Sequence, residues 1–276
     1  MPGGHRIIFI CGLHKSGTSL LFRILSEHPL VSGFKDTGVP QDEGQHLQSV
    51  YPAANFYGGP GKFGFHPEAH LTETSTLVSE ENKAKLFSEW KRFWDTSKPS
   101  LVEKSPPNLV RTRFLQTMFS NSYFITVTRH PISVSLATRN WSRTSLHSLL
   151  KHWLLCHRIF QSDARYLRRV MIIKYETLIA KPHSTLGTIY SFLGIENYPA
   201  RIQMESNRSQ PYFLKWQQLR SSLLWKPYTA YLISRFEKGV KDFGYSMVDV
   251  ELMSEAALPG RDAALDTYHD QQIRRR

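Results

Sequence analysis

Cysteine is nearly missing from this 276-residue chain: Cys11 and Cys156 stand alone, which excludes a disulfide framework and a four-ligand zinc site. Cys11 lies in an apolar run and reads as core. His152 and Cys156, in "KHWLLCHRIF", sit one helical turn apart, a spacing that suits a metal, but no second pair accompanies them, and packing is the expectation. Long apolar runs are missing too, since none approaches the roughly 20 residues of a membrane span. The opening "MPGGHRIIFICG" has Arg6 directly before a strand and no small-residue cleavage site, so no signal peptide is read there and a cytoplasmic location is expected. Acid is in short supply: 23 Asp and Glu face 35 Lys and Arg, for a net charge of +12, a balance that suits a polyanionic or multiply phosphorylated partner. The closing "QQIRRR" reads as a solvated end, and the other cations are scattered rather than striped with aromatics, which argues against nucleic acid.

What is present is the pattern of a folded α/β protein. With 41 % apolar and 21 % charged residues, the chain is expected to form a single domain over 1–276 with one irregular insertion. The runs 6–13, 100–105, 122–129 and 170–176 are short, β-branched and almost continuously apolar, as in strands buried on both faces. Helical patterns fall between them at 17–27, 81–95, 108–119, 144–168 and 177–193, the last interrupted at Pro182, and a terminal helix is expected over 217–238. Strands alternating with helices predict a three-layer sandwich around a central, mostly parallel sheet, with ligands beyond the carboxyl ends of the strands. Residues 30–75, rich in Gly, Pro, His and aromatics, read as an irregular substrate loop, and 204–216 as a second irregular segment.

The first strand end carries the most specific signal. "FICGLHKSGTSLLFRIL" has the look of a phosphate-binding loop, with Gly12 and Gly17 at the glycine spacing of G-x-x-x-x-G-K-[ST]. Its lysine is displaced: Lys15 precedes Gly17, and Thr18 and Ser19 follow it. Backbone N–H groups at such a helix start make an anion pocket. Thr18 and Ser19 add hydroxyls, and Lys15 adds a mobile cation. The displacement argues against a metal-ATP site. Two further strand ends carry cations, Lys104 in "EKSPPNL" and Arg129 in "TRHPISVSLATRN" with Pro131 opening a helix, so Lys15, Lys104 and Arg129 are expected to converge on one sheet edge.

"KSGTSLL", "EKSPPNL", "VTRHPISVSLA" and "KYETLIAKP…FLGI", in this order and spacing, resemble the sulfotransferases that use 3′-phosphoadenosine 5′-phosphosulfate (PAPS). The resemblance runs from about residue 6 to the final "FGY". It implies a P-loop-like phosphosulfate loop in which Lys15 and the amides of Ser16, Gly17, Thr18 and Ser19 hold the 5′-phosphate. Arg129 would hold the 3′-phosphate, Tyr175 would contact the adenosine portion, and Lys215 would return a basic residue to the donor. Where the family usually has a serine eight residues after the arginine, this chain has Ala137, with Thr138 or Ser133 as substitutes. A donor with phosphate at both ends fits two separated cationic pockets. A lysine ahead of the glycine can follow the oxygen bridging phosphate and sulfate, and no Mg²⁺ or other metal is expected.

The resemblance also implies a mechanism. Lys15 would stabilise the leaving 3′,5′-adenosine diphosphate, Lys104 the sulfuryl oxygens, and a base would take the acceptor's proton. Glu43 in "DEGQH" is favoured as that base, then His46, then Asp36; Gly44 beside them suggests backbone held close to a ligand. The aromatic stretch 51–65 is expected to line a pocket for a carbohydrate or small-molecule acceptor. Two other functions compete: a P-loop kinase, which requires ATP and Mg²⁺, and a non-catalytic module that keeps the nucleotide pocket.

Overall fold

The computed structural model describes residues 4–205 and 207–254. Its centre is a five-stranded, all-parallel sheet in the order β2-β3-β1-β4-β5. The strands are β1 (Arg6–Gly12), β2 (Val31–Gly33), β3 (Ser100–Lys104), β4 (Ser122–Thr128) and β5 (Val170–Lys174). Both faces are covered by helices. In β1 the Phe9 ring meets Trp90 and Phe119 on one face. Its neighbours Ile8 and Ile10, which alternate to the other face, are equally buried. Such double burial explains why these strands read as continuous apolar runs.

Helix α1 (Thr18–Ser26) follows β1, and α2 (Glu80–Lys91) precedes β3. After β3 come α3 (Thr112–Met118) and β4; α4 (Pro131–Ser142) and α5 (Leu146–Asp163) lead on to β5. Beyond β5 lie α6 (Tyr175–Ala180), α7 (Pro182–Leu193), α8 (Gln210–Ser221) and α9 (Lys226–Lys241). The chain leaves β1 towards β3 and β2, then crosses back to β4 and β5, so the order reverses at β1. Ligand crevices in open α/β sheets lie beyond the strand ends at such a reversal. Among the described residues no helix is long and apolar enough to cross a membrane.

Two expected boundaries change. The segment 204–216 is not irregular throughout: Gln210 opens α8, with Pro211 in its first turn, and the expected helix 217–238 is divided between α8 and α9, with Pro227 in the first turn of α9. Proline is tolerated there because a first-turn N–H has no partner within the helix. The loop 30–75 contains β2 and five short 3₁₀ turns. The tail "QQIRRR" lies outside the described residues.

Candidate active site

Register places the strand ends side by side. Ile10 pairs with Lys104, Gly12 with Val127 and Thr128 with Lys174, so Lys104, Arg129 and Tyr175 all emerge on the carboxyl edge around the loop after β1.

That loop is tightly built. Ser16 N–H donates to Leu13 O at 3.0 Å, and Lys15 adopts a left-handed φ of 69°. Gly12 and Gly17 have no room for a side chain: a Cβ on Gly12 would lie 2.6 Å from Ser16 Oγ, and one on Gly17 would lie 2.4 Å from Tyr175 Cδ2. The N–H groups of Gly17, Thr18 and Ser19 find no acceptor among the described residues, and Ser16 Oγ is buried without a partner. An open helix N-terminus beside an unsatisfied hydroxyl is an anion cradle. The Lys15 ammonium rests on the exposed Trp141 ring, 4.6 Å from its centroid, which is close enough for a cation–π contact.

Arg129 follows β4 and is buried at the other end of the cradle. Its Nη1 donates to Lys15 O at 2.9 Å, while Nε and Nη2 donate to Ser209 Oγ at 3.2 and 3.0 Å. The guanidinium lies over the Tyr175 ring at 4.2 Å, and burial pulls its pKa down. The turn after it is locked in three ways. His130 N–H donates to Glu176 Oε1 at 2.8 Å, His130 Nδ1 accepts the Ile132 N–H at 3.1 Å, and His130 Nε2 donates to Ser246 O at 3.0 Å. Those bonds are why "TRHP" projects an arginine from a rigid strand end.

Lys104 is fully buried, with Nζ donating to Gln41 O at 3.0 Å and to Glu43 Oε1 at 3.1 Å. An ammonium carries a third N–H. Glu43 Oε2 accepts from Gln45 Nε2 at 2.6 Å and lies 4.0 Å from His46 Nε2. Beneath this group sits Glu103, which accepts from Gly44 N–H at 3.1 Å, from Ser105 Oγ at 2.5 Å and from Asn108 Nδ2. Burial pushes its pKa up to about 7 against the pull of those donors. Gly44 packs against this carboxylate: a Cβ there would meet Glu103 Oε1 at 2.5 Å.

Of the sequence-predicted residues, Lys15, Ser16, Gly17, Thr18, Ser19, Arg129 and Tyr175 form one group, and Lys104, Glu43 and His46 form another. Gln41 links them, since its carbonyl accepts from Lys104 and its side chain from Ser19 Oγ at 3.5 Å. Asp36 is exposed, with Lys35 as its ion-pair partner. Lys215 is an exposed residue of α8 rather than part of a loop. The basic residue of that segment beside Tyr175 is Arg208, held by Glu205 at 3.0 and 2.8 Å. Of the substitutes for the usual serine, Ser133 is buried with an unpartnered hydroxyl. Thr138 lines a small void with His14, Ser135 and His152. The aromatic stretch 51–65 is largely structural: Tyr51, Tyr57 and Phe63 pack inward and only Phe56 is well exposed. His152 accepts from Gly64 N–H at 3.1 Å and contacts Cys156 in the core.

Sequence reasoning missed Gln41, Trp141, Glu176, Arg208 and Ser209. Arg208 and Ser209 lie in the expected irregular segment 204–216, whose expected basic residue is Lys215 near its far end; the other three carry no local signal.

The sequence model of the sulfotransferase family matches residues 7–200. The chain therefore belongs to the sulfotransferase family and is a sulfuryl-transferring enzyme of α/β fold. It is similar in fold to a sulfotransferase from Mycobacterium avium, at 12 % identity and a TM-score of 0.50, covering 79 % of this chain and 69 % of that one. A sulfotransferase from Alicyclobacillus acidocaldarius is 16 % identical, with a TM-score of 0.45 and coverage of 87 % and 96 %. A mouse sulfotransferase complexed with PAP is 14 % identical, with a TM-score of 0.41 and coverage of 79 % and 67 %. No curated protein sequence matches the chain.

Proposed function

We propose that this sulfotransferase uses PAPS as donor, with the phosphosulfate in the Lys15–Ser19 cradle and the 3′-phosphate at Arg129. The observation that carries the reading is the pair of separate cationic pockets joined by the Arg129 Nη1 to Lys15 O hydrogen bond at 2.9 Å. The fit is chemical: unengaged amides of Gly17 to Ser19, an orphaned Ser16 hydroxyl and a buried planar guanidinium are donors that two phosphate groups can satisfy. Tyr175 would lie against the adenosine portion. Arg208 would exchange Glu205 for the 3′-phosphate.

When bound, PAPS supplies the sulfuryl group and a diphosphate leaving group. The chain's own residues then act by position and charge. Lys15, on a flexible stem at the loop, meets the charge that develops on the leaving oxygen. Lys104, with one N–H left over from its bonds to Gln41 and Glu43, would serve the sulfuryl oxygens. Glu43, held by Lys104 and Gln45, takes the proton of the acceptor hydroxyl, and His46, whose Nε2 lies 4.0 Å from Glu43 Oε2, orients that acceptor. Exposed Trp141 and Phe56 offer apolar faces for a carbohydrate or small-metabolite acceptor.

Calorimetric titration tests the donor assignment. 3′,5′-Adenosine diphosphate is expected to bind and to raise the melting temperature by mass action. Binding of ATP with Mg²⁺ and none of the 3′,5′-diphosphate would transfer the site to the kinase reading.

A further inference from the structure

The α8–α9 hairpin ends in a loop whose side chains have almost no protein against them. Leu223 is 93 % exposed, Leu224 79 % and Trp225 40 %. The loop is not frayed. Ser222 N–H donates to Gln218 O at 3.1 Å, and Ser222 O accepts from Trp225 N–H at 3.1 Å and Lys226 N–H at 2.8 Å, so the turn is closed and the leucines are turned outward. Its base is fixed to α5: Tyr228 Oη accepts the His147 N–H at 3.2 Å, and Tyr231 Oη pairs with His147 Nδ1 at 3.2 Å. Adjacent large apolar side chains held in water by ordered backbone mark an interaction surface.

The charge around the loop has one sign. Residues 207–236 contain five Lys and Arg and no Asp or Glu, and residues 131–162, α4 and all of α5 but its last residue, contain four and no acid; the acids that follow, Glu237 of α9 and Asp163 of α5, have mostly buried side chains. Arg143, Lys215 and Lys226 are exposed on these helices. The short turn 143–145 joins α5 to α4, whose end carries Trp141, the ring under Lys15. The apolar tip and the mouth of the active site are thus anchored to the same pair of helices.

An anionic polymer would engage the cations and leave the leucines in water. A second copy would set two acid-free basic faces against each other. A bilayer with anionic headgroups satisfies both features, taking leucine and tryptophan at the acyl boundary and Lys and Arg at the phosphates. We propose that the Leu223–Leu224–Trp225 loop docks this enzyme on an anionic lipid surface, with the active-site mouth near the membrane.

The test is co-sedimentation of the full chain with vesicles of phosphatidylcholine alone and of phosphatidylcholine mixed with phosphatidylserine. No sulfuryl donor is needed, so the result is independent of the donor assignment. Wild type is expected to sediment with the mixed vesicles only. The Leu223→Ser, Leu224→Ser double variant should lose partitioning on the order of tenfold or more, with its melting temperature unchanged because both side chains are exposed. Lys226→Gln with Arg143→Gln should lose it several-fold and become less salt-sensitive. Failure to bind either vesicle, equal binding to both, or full binding by the leucine variant would each overturn the proposal. So would a dimer that the leucine variant dissociates, or retention on heparin without vesicle binding.

Discussion

Replacing Arg129 with lysine keeps a cation at the end of β4 and removes the guanidinium fork. In the wild type, Nη1 reaches Lys15 O at 2.9 Å, Nε and Nη2 converge on Ser209 Oγ at 3.2 and 3.0 Å, and the plane covers Tyr175 at 4.2 Å. An ammonium cannot serve both neighbours and the ring together. For the fold, bonds to neutral acceptors contribute about 0.5–1.5 kcal/mol each, partly offset because a buried cation is costly in the first place. A net destabilisation of about 1–2 kcal/mol is expected, within what a domain tolerates. For the ligand, loss of a hydrogen bond to a charged group removes about 1.5–3 kcal/mol, or roughly 10- to 150-fold in Kd. The assay is calorimetric titration of wild type, Arg129→Lys and Arg129→Ala with 3′,5′-adenosine diphosphate and with adenosine 5′-phosphate. Both variants should lose affinity for the first ligand and little for the second. Equal losses for the two ligands would refute the 3′-phosphate assignment.

Gly17→Ala places a Cβ 2.4 Å from Tyr175 Cδ2 at a φ of 105°; a destabilisation of about 1–3 kcal/mol with loss of donor affinity is expected by denaturant titration, and a neutral variant would contradict the cradle geometry. Glu103 has a folded pKa of about 7, above its ordinary 4.5, so its contribution to stability is complete below about pH 4.5 and is lost as pH rises through about 7. The stability of Glu103→Gln relative to wild type should therefore improve as pH rises across that window, and a pH-independent difference would argue against the shift. Burial lowers His14 and His152 to about 3 and His130 and His157 to about 4. These groups contribute stability above pH 6.5 that is lost on acidification. The melting temperature should fall steadily below pH 6.5, and a flat profile down to pH 4 would contradict their burial as neutral rings.

Four strands were legible because burial on both faces leaves an unbroken apolar run. β2, only three residues long in Val31–Gly33, is too short to carry such a signal. The loop after β1 was legible because its geometry is local: Gly12, Lys15 and Gly17 are neighbours in sequence, and their order departs from that of G-x-x-x-x-G-K-[ST]. Long-range partners were not legible. Ser209 reaches Arg129 across 80 residues, and Glu103 reaches Gly44 across 59, contacts that no local pattern announces. The start of α8 is not legible because Pro211, which reads as a loop residue, lies in the first turn of the helix.

Sulfuryl transfer from PAPS with Glu43 as base is tested most directly by following labelled sulfate from PAPS into a panel of hydroxyl acceptors. Wild type, Glu43→Gln, His46→Gln and Asp36→Asn would be compared under saturating donor. Wild type should transfer label; Glu43→Gln should lose about 10²- to 10⁴-fold in turnover while binding 3′,5′-adenosine diphosphate normally, and Asp36→Asn should be unaffected. Full turnover by Glu43→Gln with transfer abolished in His46→Gln would contradict the assignment of the base, and absence of label transfer by wild type to every acceptor would contradict the account as a whole.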